Sequence, residues 1–576
     1  MKKTILFLLF FGLCFTSRAA LHPIDPCLQA KMEGLDEGEK VKICLLFAPA
    51  TDPTVLRIEA CRLPSKVERR QWVVNTLRQQ SEAAQYETLA QLSELERHGM
   101  VEDIRTLWIA NAITCLATKE AILDLAARNE PLSIFALGTS SWRFDEPSPQ
   151  DRRDDAREIA QNLLQVNVPE VWAQGYTGQD VVVAVIDTGV SLTHADLQGR
   201  FWDGGEDYPN HGYDFANHDN DPSDQHGHGT HVAGTICGTG AAGTQTGVAP
   251  DAKIMVLKVF GTDEQTDEFI LTEAMQFAVE HGADVLNMSL GWPDPSTSVK
   301  LLNRQACENT LAAGVVAAVC AGNIRHLQSI VPIPRNIYSP GDCPPPYLHE
   351  DQLENPGGVS CVISVGAVDY NDAITYFSSV GPSTWTDVEQ YNDYPYDPES
   401  PTEIGLIRPD LCAPGLNINS LDYQDDYGYC LKEGTSMATP CVSGTIALML
   451  SKNRELTPAQ IDEILERTAV KLSEHKSNDF GSGRIDALAA VNAVEPDAVG
   501  ATVAPQALVY PNPTSDAFTV LCEGLRQVLV YSADGRLVRQ TPSANNHCRV
   551  EGLTEGVYLV WIVTDKGTVA RKLVVM

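Results

Sequence analysis

The sequence predicts an α/β protein in which a parallel sheet is flanked by helices, with a small α+β domain before it and a β-sandwich after it. Continuous apolar runs of strand length recur in the middle of the chain, and a segment with helical spacing, 268–280, separates two of them. The chain after residue 505 consists of short alternating strands with turns between them. A length of 576 residues also indicates several domains.

The predicted central sheet consists of runs that are apolar almost throughout, as is typical of parallel strands buried on both faces. These runs are 181–186, 253–259, 284–290, 315–321 and 361–367. Open α/β sheets place their sites at the carboxyl ends of such strands. Polar residues that directly follow a run are therefore candidates for a functional site.

Composition excludes some classes of function. The 43% of apolar and 20% of charged residues are typical of a globular protein. The formal net charge of -34 argues against a nucleic-acid partner, because binding phosphates requires clustered Lys and Arg.

Residues 1–20 predict a secretory signal peptide, with a basic start, a short apolar core and small residues at the cleavage site.

One candidate nucleophile lies in the segment 434–440, which reads GTSMATP. Ser436 would occupy the first turn of a helix predicted at 437–450, near unpaired backbone N–H groups that favour a developing oxyanion. Pro440 cannot donate to the carbonyl of Ser436, so we expect a local distortion of the helix. The alternative role for such a serine is an N-cap.

A serine becomes a strong nucleophile only when a base removes its proton and a third group orients that base. Asp187 ends the run 181–186 and is a candidate for the orienting group. His228 lies between two glycines, which allow other backbone to approach closely, and is a candidate for the base.

The Asp, His and Ser segments, in this order, resemble the signatures of the subtilisin-like serine peptidases (subtilases), a standard example of this order. The resemblance covers about residues 168–494 and implies that Asp187 orients His228, that His228 is general base and acid, and that Ser436 is the nucleophile. It also implies that Asn323 stabilises the oxyanion. Ser289-Leu290-Gly291 would be the strand that pairs with the substrate backbone.

The residue patterns and the resemblance together divide the chain into a signal peptide at 1–20, a pro-segment at 21–150, a peptidase domain at 155–495 and a C-terminal domain at 505–576. In this family, the pro-segment assists folding and occupies the active site until it is removed. The pro-segment elements predicted from the residues are strands at 41–47, 106–116 and 131–137 and helices at 65–98 and 119–128. An accessory binding domain is the alternative.

The C-terminal domain resembles the sorting domain of type IX secretion substrates. In Bacteroidetes-type bacteria, this domain is recognised at the outer membrane. The resemblance consists of a Pro-Asn-Pro start at 511–513, a Gly-x-Tyr strand at 556–561 and a basic last strand at 571–575. It implies a secreted or cell-surface protein. A carbohydrate-binding or spacer module is the alternative.

Two segments depart from the compact family pattern. The segment 324–358 contains a Pro-rich stretch after Asn323, and we expect it to line the pocket for the residue before the scissile bond. The segment 383–403 is an acidic, Tyr-rich insertion, expected in a surface loop. Of the cysteines, Cys343 with Cys361 and Cys522 with Cys548 are the predicted disulfides.

No cofactor is expected for the chemistry, and structural calcium is an open question. Asp196 matches a carboxylate that binds calcium in many relatives, and a second acidic cluster precedes His228 at Asp219, Asp221 and Asp224. A rival hypothesis is a metallohydrolase, in which His226, His228, His231 and Asp224 bind zinc. A binding pseudoenzyme and a cysteine peptidase find no support in the motifs.

The sequence thus predicts a secreted serine endopeptidase that is made as a zymogen and acts through an acyl-enzyme. The expected partners are protein or peptide substrates, the chain's own pro-segment as an intramolecular inhibitor, and the secretion machinery of the outer membrane.

Overall fold

The computed structural model describes the greater part of the chain. The described residues are 23–128, 130–138, 140–141, 158–262, 265–345, 352–353, 360–388, 391, 393–495, 507–510, 514, 517–522, 524–532, 537–543, 546–564 and 567–575. The predicted signal peptide and the Pro-Asn-Pro segment lie outside the described residues.

The N-terminal domain is an α+β unit with a four-stranded antiparallel sheet in the order β2-β3-β1-β4. Its elements are α1 (Pro26–Glu33), β1 (Lys40–Leu46), α2 (Pro53–Ala60), α3 (Lys66–Arg97), β2 (Val101–Leu107), β3 (Ala112–Thr118), α4 (Lys119–Ala126) and β4 (Ser133–Ala136). The single strand predicted at 106–116 is wrong. A turn at 108–111 divides it into β2 and β3, and Asn111 adopts a positive φ of 47° there.

The central domain contains most of the regular structure. Its strands are β6 (Val182–Asp187), β7 (Gly212–Asp214), β8 (Lys253–Lys258), β9 (Gln265–Thr266), β10 (Val285–Met288), β11 (Trp292–Pro293), β12 (Val316–Cys320), β13 (Tyr338–Ser339), β14 (Ile363–Val368), β15 (Leu411–Pro414), β16 (Ile418–Leu421) and β17 (Tyr429–Lys432). The short strand β5 (Ser140–Ser141), which ends the N-terminal domain, pairs with β9. Its helices are α5 (Gln161–Gln165), α6 (Val168–Trp172), α7 (His228–Cys237), α8 (Glu268–Glu280), α9 (Thr297–Ala312), α10 (Thr435–Lys452), α11 (Pro458–Thr468) and α12 (Ala487–Ala493).

Seven of these strands form a parallel sheet in the order β15-β14-β12-β10-β6-β8-β7. The five predicted strands are confirmed as β6, β8, β10, β12 and β14, and the helix predicted at 268–280 is α8. Side chains of β6 alternate between two cores, with Val183 and Val185 packed in one and Ala184 and Ile186 in the other. Both faces of the sheet are therefore buried, which confirms the predicted fold class.

The C-terminal domain consists of two antiparallel sheets, in the orders β18-β19-β22 and β21-β20-β23-β24. Its strands are β18 (Ala507–Tyr510), β19 (Ala517–Cys522), β20 (Leu525–Ser532), β21 (Leu537–Pro542), β22 (His547–Glu551), β23 (Gly556–Thr564) and β24 (Gly567–Val575). Phe518 from one sheet and Val528 and Val560 from the other belong to one core. This arrangement is the predicted β-sandwich.

The N-terminal domain packs against the central domain through α8 and α9. Leu77 and Trp108 of the N-terminal domain share a hydrophobic core with Phe277 of α8. The amide of Asn309 in α9 donates to the Ile109 carbonyl over 2.7 Å, and Lys42 of β1 pairs with Asp267, the N-cap of α8, at 2.6 Å. The interface is thus both apolar and specifically hydrogen-bonded.

The insertion 383–403 is anchored more deeply than a surface loop. Trp385 is fully buried, and its indole N–H donates to the Asp342 carbonyl over 3.0 Å. Arg304 of α9 binds both carboxylate oxygens of Asp393, at 3.2 and 3.0 Å, and its guanidinium lies over the ring of Tyr391. The insertion therefore joins α9 to the loop that follows β13.

Neither predicted disulfide is present among the described residues. Cys343 and Cys361 are buried thiols, and both are hydrogen-bonding neighbours of the Cys307 thiol, while Cys548 is a buried thiol in the C-terminal domain. In the described part of the chain, the helices include none that is long and apolar enough to cross a membrane.

Candidate active site

Asp187 and His228 form a buried pair at the carboxyl end of β6. Asp187 is the last residue of β6 and His228 is the first residue of α7, and each side chain is about 1% exposed. His228 Nδ1 lies 2.8 Å from Asp187 Oδ1, and the backbone N–H of Thr188 donates to the same oxygen over 2.8 Å. The contact to the carboxylate assigns the proton to Nδ1, so Nε2 is the nitrogen that can accept a proton.

The close approach of α7 to this strand end requires a glycine. A Cβ at Gly229 would lie 2.1 Å from the carbonyl oxygen of Gly189, so any side chain would separate His228 from Asp187. The turn before α7 is held by Asp224, which accepts hydrogen bonds from the N–H groups of His226 and Gly227. Because these bonds fix the start of α7, they also fix the backbone of His228.

Ser436 is the second residue of α10 and is fully buried. Helix α10 packs against α7, which carries His228, and against strands β10, β12 and β14. The Ser436 hydroxyl donates to the carbonyl of Ser289 over 3.1 Å. The serine thus lies in the first turn of a central helix, as the sequence predicts.

The distortion expected at Pro440 is compensated by a side chain. Pro440 lies inside α10 and offers no N–H to the Ser436 carbonyl. The hydroxyl of Ser289 donates to this carbonyl over 2.8 Å. Ser289 in turn accepts from the amide of Asn287 at 3.0 Å, and Ser443 donates to Asn287 at 2.8 Å. A chain of buried hydrogen bonds therefore joins β10 to α10, the helix that carries Ser436.

Asn323 follows β12 and is held by the residue that precedes Ser436. Its Oδ1 accepts hydrogen bonds from both the N–H and the hydroxyl of Thr435, each 2.9 Å long. Since the backbone N–H can only donate, the atom facing it must be the carboxamide oxygen. The orientation presents Nδ2 as the donor of the side chain, which is what an oxyanion needs.

One backbone segment contacts Ser436, and a second pairs with the N-terminal domain. Ser289-Leu290-Gly291 continues from β10 next to Ser436, through the contact of Ser289 described above. Elsewhere in the central domain, β9 pairs in antiparallel fashion with β5, the segment that ends the N-terminal domain, and Ser140 lies opposite Thr266. The central domain therefore already accepts one extended segment as an added strand.

The groups around the Asp196 carboxylate do not form a calcium site. Its Oδ1 accepts the Ala242 N–H over 2.6 Å, and its Oδ2 accepts the Gly240 N–H over 3.2 Å and the Tyr429 hydroxyl over 3.1 Å. Hydrogen-bond donors surround this carboxylate, whereas calcium requires a cage of oxygen ligands. Asp224, in the second acidic cluster, is likewise engaged by backbone donors.

The zinc hypothesis also conflicts with the geometry. His231 is fully buried and its Nε2 faces the carbonyls of Ile418 and Cys430, at 3.0 and 3.2 Å. Burial lowers the pKa of His231 well below its usual value, so this ring is a neutral donor and not a ligand through Nε2. Within the described ranges, the His, Cys, Asp and Glu side chains form no group of three suited to a metal ion.

Several contributors to this site were missed by sequence reasoning. Ser289 was predicted only for its backbone, and the role of its hydroxyl was not foreseen. The side chains of Asn287, Thr435 and Ser443 likewise act through contacts between segments that are far apart in the chain. Only Pro440 could have indicated such a contact in advance. A proline inside a buried helix leaves one backbone carbonyl without its helical donor, so another group must donate to it.

A parallel α/β sheet that carries a buried carboxylate–imidazole pair beside a helix with a serine in its first turn is the framework of a serine hydrolase. Comparison with known proteins agrees. A model described as the subtilase family matches residues 178–483, and a model described as a secretion system C-terminal sorting domain matches residues 508–576. The chain belongs to the subtilase family and is a serine-type endopeptidase.

Individual relatives show how much of the chain is shared. Bacillopeptidase F of Bacillus subtilis (strain 168) is 29% identical over 465 residues, which are 75% of this chain but only 29% of that protein. Subtilisin DY of Bacillus licheniformis is 30% identical over 338 residues, 58% of this chain and 99% of that protein. Subtilisin E of Bacillus subtilis (strain 168) is 31% identical over 335 residues, 58% of this chain and 72% of that protein.

Proposed function

We propose that Asp187, His228 and Ser436 form the catalytic triad of this endopeptidase. The observation that carries the proposal is the buried 2.8 Å contact between Asp187 and His228 Nδ1, which leaves Nε2 as the basic nitrogen. His228 Nε2 takes the proton of Ser436 as its oxygen attacks the peptide carbonyl, and returns this proton to the leaving amine. Water then hydrolyses the acyl-enzyme through the same base, which regenerates Ser436.

Asn323 is proposed to stabilise the oxyanion of each tetrahedral intermediate. The two hydrogen bonds from Thr435 to its Oδ1 support this role, since they orient the carboxamide before substrate binds. The backbone N–H of Ser436, in the first turn of α10, is the second proposed donor. Preorganised donors of this kind stabilise the transition state because they need no reorientation during the reaction.

The substrate is proposed to be a protein or peptide in extended conformation that pairs with Ser289-Leu290-Gly291. Recognition through backbone hydrogen bonds gives affinity that depends little on sequence. The position of Ser289, whose carbonyl lies 3.1 Å from the Ser436 hydroxyl, supports this role because it brings a paired peptide to the nucleophile.

The N-terminal domain, 21–150, is proposed to be a pro-segment that inhibits the enzyme intramolecularly until it is cut off. Three observations support this. The domain packs on α8 and α9, its Lys42 pairs with the N-cap of α8, and its last described strand, β5, adds to β9, the strand that precedes α8. A covalently attached segment bound in this way competes with any substrate at high effective concentration.

The proposed route of the protein is export through the signal peptide 1–20, followed by recognition of the C-terminal sandwich by the type IX secretion machinery of the outer membrane. The sorting-domain match to residues 508–576 supports the second step. The mature enzyme would act in the medium or at the cell surface.

The test compares residues 21–576 as wild type, Ser436→Ala and Ser451→Ala. Ser451 is a matched control because it lies on α10 and its hydroxyl bonds to the Leu448 carbonyl within the same helix. Wild type and Ser451→Ala should lose the N-terminal domain, hydrolyse casein and react with a fluorophosphonate, while Ser436→Ala does none of these. Fluorophosphonate labelling of Ser436→Ala would contradict the assignment of the nucleophile.

A further inference from the structure

Tyr338 lies between Ser289-Leu290-Gly291 and Ala321-Gly322-Asn323, the segments that contact Ser436 and Thr435. A Cβ placed on Gly322 would lie 2.6 and 2.7 Å from two ring atoms of Tyr338. A Cβ placed on Gly291 would lie 2.8 Å from the Ser339 carbonyl oxygen and 3.1 Å from the Tyr338 Cβ. Both glycines therefore leave room for Tyr338 and its neighbour, and neither could carry a side chain without displacing them.

The backbone around Tyr338 is anchored on several sides. Strand β13 pairs with β11, and the Tyr338 N–H donates to the Ala321 carbonyl over 3.0 Å. Asn303 of α9 donates to the Ser339 hydroxyl over 3.1 Å. Further along, Trp385 of the insertion and the buried Arg408 donate to the carbonyls of Asp342 and Gly341, at 3.0 and 3.1 Å. The backbone that carries the Tyr338 ring is therefore held in place by hydrogen bonds to several other segments.

The reaction geometry determines which substrate side chain approaches this ring. The attacked carbonyl must lie beside the Ser436 hydroxyl with its oxygen near the Asn323 amide. A peptide paired with Ser289-Leu290-Gly291 directs alternate side chains to opposite sides. The residue that supplies the carbonyl then directs its side chain into the gap between this segment and Ala321-Gly322-Asn323. The ring of Tyr338 lies at the closed end of this gap.

We propose that Tyr338 forms the floor of the pocket for the residue before the scissile bond and restricts that residue to a small side chain such as Ala or Ser. This inference rests on the proposed function and specifies its substrate class. The ring covers Gly322 and therefore takes the volume that a large aliphatic or aromatic side chain would need. The insertion 383–403 contributes by holding the segment after Tyr338 in place.

The test uses peptides that differ only at this position, with Ala, Leu or Phe before the cleaved bond, and the variants Tyr338→Ala and Tyr338→Phe. Active enzyme is counted with a fluorophosphonate so that kcat/KM refers to folded sites. We expect wild type to prefer Ala over Phe by at least about 10- to 200-fold, the range that a difference of one methylene produces in an apolar pocket. Tyr338→Ala should lose most of this preference, and Tyr338→Phe, which keeps the ring, should retain it.

The wild-type profile is informative even if Tyr338→Ala folds poorly. A wild type that cleaves after Phe or Leu as well as after Ala overturns the inference and leaves the peptidase assignment intact. An unchanged preference in a folded Tyr338→Ala, measured by the ratio of the two kcat/KM values, overturns it as well. Failure of wild type to hydrolyse any peptide would contradict the proposed function itself, and the inference with it.

Discussion

Ser289 and Ser436 exchange two hydrogen bonds. The Ser436 hydroxyl donates to the Ser289 carbonyl over 3.1 Å, and the Ser289 hydroxyl donates to the Ser436 carbonyl over 2.8 Å. The second bond replaces the one that Pro440 cannot make within α10. Ser436, the proposed nucleophile, is therefore held by a residue of the proposed substrate strand.

Replacing Ser289 with Ala should destabilise the protein and slow catalysis. The fully buried Ser436 carbonyl would lose its donor, at a cost of about 1–3 kcal/mol in the free energy of unfolding. A displaced nucleophile should also lower kcat, by up to about 10²-fold for a shift near 1 Å, with little change in KM. Thermal melts and steady-state kinetics of Ser289→Ala beside Ser451→Ala check both effects. A normal kcat in Ser289→Ala would show that the bond does not position Ser436.

Replacing Asn323 separates its two roles. Asn323→Ala removes both the oxyanion donor and the acceptor of the Thr435 hydrogen bonds, while Asn323→Asp keeps an acceptor for Thr435. Both variants should lose about 10²- to 10³-fold in kcat, a magnitude established on the oxyanion donor of subtilisin. Only Asn323→Ala should also lose the Thr435 contact, so its melting temperature should fall further. Turnover near that of wild type in Asn323→Ala would refute the oxyanion role.

Replacing Arg304 tests the anchoring of the insertion. This fully buried guanidinium bonds to Glu308 and Asp393, so Arg304→Ala leaves buried carboxylates without their cation. We expect a loss of about 3–5 kcal/mol in the free energy of unfolding. The control is Arg335→Ala, which breaks a pair with Asp294 at the surface and should cost at most about 1 kcal/mol. Denaturant unfolding measures both, and equal losses would refute the structural role of Arg304.

Glu268 should make retention of the N-terminal domain dependent on pH. Burial raises the pKa of this carboxyl to about 7 from an ordinary 4.5, with Asp267 adding to the increase and Lys42 of the N-terminal domain opposing it. Lys42 and Cys44 of the N-terminal domain lie close enough to interact with Glu268, so we expect release of the domain to expose this carboxyl and to return its pKa toward the ordinary value. The docked state therefore holds a proton that the released state loses, and docking should weaken between about pH 4.5 and 7.

Glu268→Gln removes this titration while keeping the size of the side chain. The variant should lose most of the pH dependence between pH 5 and 7 and should retain the cleaved N-terminal domain more tightly than wild type at pH 8. Lys66, which pairs with Asp284 across the interface and whose pKa burial lowers to about 8, titrates above this window. Size-exclusion chromatography of the processed protein at each pH measures the retained fraction. A wild type whose retention does not change across this window, or a variant that keeps the wild-type dependence, would refute the role of Glu268.

Local patterns in the sequence predicted much of the fold. The strands β6, β8, β10, β12 and β14 follow from apolar runs, because burial on both faces demands apolar side chains without interruption. The strand predicted at 106–116 failed because its turn contains neither Gly nor Pro and uses Asn111 instead. The buried position of Trp385 could not be predicted, since an acidic, Tyr-rich composition is also typical of exposed loops.

The sequence by itself determined the family, the α/β class and the candidate residues Asp187, His228, Ser436 and Asn323, because short motifs and apolar periodicity are properties of neighbouring residues. Only the tertiary structure decided which groups hold them. The bonds of Ser289 to Ser436 and of Thr435 to Asn323 join residues 147 and 112 positions apart. The hydrogen bonds around Asp196, the anchored insertion and the position of Tyr338 are likewise set by packing, because such contacts arise only when separate segments are brought together in the folded core.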